Sequence, residues 1–413
     1  MPQRFRVKLI LTAAAMTIAA TTAAAVDDLS PGPLGRAEAS ARAAALADLG
    51  RRMFFDPALS ASGKLACSSC HDPAHGFGPA NALDVQIGGP GMDVSGVRAA
   101  PSLTYLQADP QFSEHFFDSE DESDESVDNG PTGGLMWDGR ADRAEGQVRL
   151  PLLSPFEMAN ADATEVAAKL RAAPYAQGLR ALFGAGALND ADAAVEAAGQ
   201  ALAAFEETPS LFYPYTSKYD AYLAGKASLT AQETRGLWAF EAEGKGNCAS
   251  CHISRRANDG EPPQFTDFGL IALGLPRNPR LPANRDPAYF DLGACGPLRT
   301  DLAGRAEYCG LFRTPSLRNV ALRQTFFHNG LFHSLRDAVA FYATRDTDPG
   351  RWYPKDATGA IEKYDDLPQQ YQGNINTDPP FGGKLGGKPP LTDADIDDIV
   401  AFLGTLTDGY TLP

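Results

Sequence analysis

Apolar residues recur at helical spacing near the end of the chain, where Ile396, Ile399, Val400 and Leu403 fall on one face. Thr392-Asp393-Ala394-Asp395 stands just ahead of them and predicts a capped helix start. Upstream, Thr230-Ala231-Gln232-Glu233 has the form of a capping box. Leu237, Trp238 and Phe240 supply apolar surface behind it, so Thr230 to Glu241 predicts a second helix. Residues 36–55, rich in Ala, Leu and Arg at helical spacing, predict a third, and residues 161–206 read as Ala-rich helix. Thr208 to Tyr215, with two prolines, marks a boundary. Little of the chain alternates with strand period, so the expected class is mainly α with long loops.

Two of these helices lead into the same pentapeptide. Cys67-Ser68-Ser69-Cys70-His71 follows the first and Cys248-Ala249-Ser250-Cys251-His252 follows the second. C-x-x-C-H supplies two thiols for thioether bonds to the haem vinyls and a histidine for the iron. The alternative for each is a zinc or redox C-x-x-C followed by a chance histidine. A helix before the motif and a closing helix after it can wall in a haem. The chain therefore reads as two cytochrome c-like haem domains, 26–210 and 211–413, with an insertion at about 107–134.

The first 25 residues look like a cleaved secretory signal: Arg4, Arg6 and Lys8, an apolar stretch from Leu9 to Ala20, then Ala23-Ala24-Ala25. No other run approaches the roughly 18 apolar residues of a membrane helix. Haem c is attached outside the bacterial cytoplasm, so both signals point to the periplasm. The net charge of −16 becomes −19 once the three leader cations are lost. That disfavours nucleic acid and anionic lipid and suits a basic or neutral protein partner, although solubility alone would explain it. Cys295 and Cys309 are not needed for haem, and in an oxidising compartment they predict a disulfide. Residues 118–128, DSEDESDESVD, carry seven carboxylates in eleven positions. Such a run is a solvated loop, a docking patch for a basic partner, or, with His115, a weak metal candidate.

These segments resemble the bacterial di-haem cytochrome c peroxidases, and specifically their MauG-like branch. The resemblance rests on CSSCHDPAHGF, on LMWDGRADRAEGQVRLPLLSPFEM from Leu135 to Met158, on the second haem motif, and on FRTPSLRNVALRQTFFHNG from Phe312 to Gly330. The Cys295/Cys309 loop looks like a feature of a subgroup that includes MbnH-type proteins. The resemblance implies that peroxide binds at the His71 haem and that the His252 haem, six-coordinate, stores or relays oxidising equivalents. It implies Trp137 as the bridge between them and Gln147, Pro151 and Glu157 in the distal pocket of the first. Breaking an O–O bond needs a proton moved from one oxygen to the other. Glu157 is the expected acid/base, Gln147 the hydrogen-bond donor and Pro151 a shape element.

The axial ligands separate the branches. Scavenging peroxidases generally place methionine on the second iron, and this chain has none after Met158. Nor has it a histidine between His75 and His115, where a removable ligand of the first iron would lie. The resemblance implies tyrosine instead, and Tyr342 lies fourteen residues after His328. His328 and His333 compete for that role or are structural, and His75 reads as a surface group. Many relatives bind calcium between the haems through an asparagine two residues before a proline. Here Ala99 precedes Pro101, so calcium, with the carbonyls of Arg323 and Thr325, is doubtful. The resemblance implies a peroxide-using enzyme that oxidises a protein partner, as MauG-like enzymes modify tryptophan. The alternatives are a peroxide-scavenging peroxidase fed by a small redox protein and a non-enzymatic electron-transfer cytochrome.

Overall fold

A computed structural model describes residues 35–115, 130–258 and 260–412. The leader and the acidic run at 118–128 lie outside the described residues. Residues 41–413 form one compact unit. The helices in chain order are α1 (Arg36–Phe54), α2 (Cys67–Cys70), α3 (Ala144–Gln147), α4 (Arg149–Leu153), α5 (Ala163–Ala172), α6 (Ala176–Phe183), α7 (Ala191–Glu206), α8 (Pro209–Phe212), α9 (Lys218–Leu223), α10 (Ala231–Glu241), α11 (Leu335–Thr344) and α12 (Asp393–Gly404). Among the described residues the sheets are two antiparallel pairs, β1 (Ile87–Gly88) with β2 (Val94–Ser95) and β3 (Leu270–Ile271) with β4 (Phe312–Arg313). The fold is mainly α, with long loops.

The caps form as their sequences require. Thr230 Oγ1 accepts from the Glu233 amide at 3.2 Å, while the Glu233 carboxylate accepts from the Thr230 amide at 2.6 Å. Thr392 and Asp395 repeat this at 3.2 and 2.8 Å. Two expectations change. The stretch 161–206 is not one helix but three. Ala173, ahead of Pro174, is extended, which ends α5, and Gly184 at φ 96° ends α6. Trp238 faces solvent, 58% exposed, because Gly236, Ala239 and Phe240 take the inner face of α10.

Two aromatic cores result. One gathers Phe54, Phe77, Phe205 and Phe212 between α1, α7 and α8. The other gathers Phe240, Phe265, Phe341 and Phe402 between α10, α11 and α12. Each depends on a glycine. A Cβ on Gly50 would lie 1.9 Å from the Ala201 carbonyl oxygen of α7, and one on Gly236 would lie 1.9 Å from that of Asp398 on α12. Cys295 and Cys309 are disulfide-bonded with Cα atoms 4.9 Å apart, in a smaller cluster with Leu270, Ala272 and Leu311.

Candidate functional site

A continuous cavity of about 970 Å³ reaches both pentapeptides: Cys67, Cys70, His71, Cys248, Cys251 and His252 all line it. His71 Nδ1 donates to the Phe77 carbonyl at 3.0 Å, and His252 Nδ1 donates to that of Phe265 at 2.9 Å. Both phenylalanines sit in the left-handed region, at φ 51° and 55°, where the chain doubles back toward the ring. With Nδ1 protonated, each neutral imidazole keeps its Nε2 lone pair. Burial favours that form, pushing His71 down to about 4 and lowering His252 as well.

None of the four motif cysteines is disulfide-bonded. Burial pushes Cys67, Cys70 and Cys248 up to about 12 and Cys251 to about 11. Zinc would need thiolates and two more ligands, and no group of three or more metal-binding side chains is gathered among the described residues. Apolar walls such as Leu65, Leu152 and Leu202 beside the first pair, and Leu275, Ile399 and Leu403 around the cavity, suit a flat porphyrin. The donor set fits haem.

Glu157, Gln147 and Pro151 line the same cavity. Burial raises the Glu157 carboxyl above its ordinary value, and the charge of Arg140 partly opposes this. Gln147 Nε2 contacts Met136 Sδ at 3.1 Å, so one of its protons is already engaged. Met136, itself at φ 70°, also lines the cavity. Sequence reasoning gave no role to Met136 or Arg140, although both lie inside the segment 135–158 that it singled out.

Trp137 is fixed from several sides. Its Nε1 donates to the Ala99 carbonyl at 2.7 Å, and the Ala99 amide donates to the His328 carbonyl at 2.7 Å. The neighbouring Asp138 is fully buried and accepts from Arg98 at 2.7 Å and Arg140 at 2.8 Å. Arg98 also grips Asp291, 193 residues away, at 2.7 Å. His328 is stacked on Phe312, ring centroids 3.5 Å apart, with the Trp137 indole edge-on at 6.4 Å. Burial holds His328 neutral, pushed down to about 3.

Tyr342, on α11, lines the cavity and stacks on Phe381 at 5.3 Å. Its hydroxyl makes no protein hydrogen bond among the described residues, and burial raises its pKa. His333 lies apart from it, bonded to Asp84 at 2.7 Å. His75 is half-buried rather than a plain surface group and pairs with Asp72 at 2.5 Å.

The residues expected to hold calcium do not fit that ion. Ala99 offers no side-chain oxygen, and its carbonyl is engaged by Trp137. The Thr325 carbonyl accepts from Arg323 Nε at 3.2 Å. At an effective dielectric near 20, a divalent ion about 4 Å from a guanidinium would be repelled by roughly 8 kcal/mol.

Residues 44–228 match the model of the di-haem cytochrome c peroxidase family. The chain is 35% identical over 382 residues to the methylamine utilization protein MauG of Paracoccus denitrificans, covering 88% of this chain and 89% of that one. It is similar to the solved diheme peroxidase BthA of Burkholderia thailandensis, with TM-score 0.78 and 42% identity over 88% of this chain and 86% of that one. A solved MauG-like protein associated with microbial copper homeostasis gives TM-score 0.60 and 27% identity, with 91% of each chain covered.

Proposed function

This chain belongs to the di-haem cytochrome c peroxidase family, and we propose that it is a periplasmic member that uses hydrogen peroxide to oxidise a protein partner. Membership makes it a haem-dependent oxidoreductase acting with peroxide. Cys67/Cys70 and Cys248/Cys251 attach the two haems covalently, and His71 and His252 offer Nε2 to the irons. When bound, the haems supply the redox chemistry with peroxide. Peroxide takes two electrons and two protons to give two waters, and the partner supplies the electrons.

The protein's own groups do the rest. Glu157, poised by burial, takes the proton from the near oxygen of peroxide and delivers it to the leaving oxygen. Gln147 orients the peroxide with the proton not engaged by Met136, while Pro151 limits the space. Trp137, immobilised between the halves, relays electrons. Tyr342 offers its unengaged oxygen to the second iron.

The observation that carries this reading is the asymmetry of one cavity, with a poised carboxyl near Cys70 and a tyrosine near Cys251. The leader, outside the described residues, supports the compartment. Among those described, no helix is long and apolar enough to cross a membrane. The decisive experiment treats holoprotein with peroxide in the presence of candidate exported proteins, or of a small reduced cytochrome or copper protein. Mass spectrometry showing oxidised tryptophan in an exported protein supports partner modification. Fast steady turnover with the small donor alone, without any modified protein, would establish scavenging instead.

A further inference from the structure

Arg323, half-buried in the cavity wall, differs from the paired arginines of the interior. Arg98 pairs with Asp138 and Asp291, Arg299 with Asp301, Arg313 with Asp109, Arg318 with Asp220 and Arg345 with Asp346. No carboxylate lies within salt-bridge distance of Arg323 among the described residues. Its guanidinium is held by backbone oxygens, with Nη2 donating to the Ala100 carbonyl at 3.0 Å and Nε to that of Thr325 at 3.2 Å. Ala100 comes from the loop before Pro101, and Thr325 lies 225 residues further on in the other half. The side chain lines the cavity, and its charge acts on His71. Two carbonyls from two halves around one cation form an arrangement that would ligate a metal ion, here filled by a side chain.

We propose that Arg323 is a built-in replacement for an inter-haem metal ion: its guanidinium, anchored on the Ala100 and Thr325 carbonyls, supplies the fixed positive charge that ties the two halves together. The Ala99 methyl where an oxygen ligand would stand belongs to the same exchange. A cation in a cavity that a cofactor would close off from water needs a counter-charge. No protein carboxylate supplies it among the described residues, so the carboxylates of a seated haem would be the partners Arg323 is left to meet. The Ala100 peptide adjoins Ala99, whose carbonyl holds Trp137, so the charge also bears on the relay.

The inference rests on haem being seated beside His71, which the haem content of the same preparation checks separately. Purified holoprotein should hold calcium far below one ion per chain. Exhaustive dialysis against EGTA should leave its visible spectrum and thermal unfolding unchanged. Arg323→Gln removes a positive charge beside the cofactor, so the midpoint potential of the His71 haem should fall. Arg323→Lys should keep most of that potential, which a purely structural role would not predict. A full calcium equivalent whose removal changes the spectrum would overturn the proposal. So would an unchanged potential in Arg323→Gln, or an equal fall in Arg323→Lys. Should Arg323→Gln fail to fold, the lysine variant and the EGTA result still decide.

Discussion

The two halves are built alike beneath each pentapeptide and differently above it. Gly50 lets α1 touch α7 as Gly236 lets α10 touch α12. Phe54 packs on Phe205 at 5.3 Å, and Phe240 packs on Phe402 at 5.3 Å. Phe77 and Phe265 share a left-handed backbone and a carbonyl that fixes the histidine. The first half then lines its open side with residues 136–157, the second with α11 and the loop at Phe381. One scaffold serves twice because holding a flat ring between two crossing helices poses the same packing problem each time. Chemistry diverges where the loops, free of that constraint, supply the remaining walls.

Glu157→Gln should break the comparison most strongly, slowing the peroxide reaction by about 10²–10⁴-fold while leaving the second half untouched. Stopped-flow mixing measures it, and rates within a few-fold of the parent would remove Glu157 from the mechanism. In the parent the rate should rise with pH through a midpoint above the ordinary carboxylate value, because burial raises this group and only its ionised form accepts a proton. The glutamine variant should lose that limb.

Gly50→Ala and Gly236→Ala test the shared part. Each puts a methyl against a backbone oxygen, so each should cost about 3 kcal/mol or more of stability. Denaturant unfolding of holoprotein would read this, and a neutral result at one position alone would end the equivalence. Trp137→Phe should come next. It should preserve the first reaction with peroxide but slow oxidation of the His252 haem several-fold, followed by rapid-mixing spectroscopy. Simultaneous oxidation of both haems at the parent rate would reduce Trp137 to packing. Tyr342→Phe should have the smallest effect on stability, within about 1 kcal/mol, because the lost hydroxyl has no protein hydrogen bond. The low-spin signal of the second haem in electron paramagnetic resonance should nonetheless change. An unaltered signal would point to His328 or another ligand.

The legible features were local. The cysteines and histidine of each pentapeptide lie within five consecutive residues, and the Thr230 and Thr392 caps close over three, so a short window contains the whole interaction. Segment 135–158 likewise kept Trp137, Gln147, Pro151 and Glu157 in one stretch, and the structure brings all four to one cavity. Helical period alone over-extended the stretch at 161–206, because it does not register how Pro174 and Gly184 break the backbone. Nor does it tell that Trp238 faces outward while Phe240 is buried, since a stripe of apolar residues does not say which edge meets its partner helix. Sequence by itself determined the attachment chemistry, the helix starts and the mainly α class, all set by contacts a few residues apart. Only the tertiary structure decided that Gln147 leans on Met136, that His328 lies stacked on Phe312 with the Trp137 indole edge-on, and that Arg323 spans to Ala100 across 223 positions. Such meetings depend on where two distant loops come to rest, and nothing in either stretch of sequence names the other.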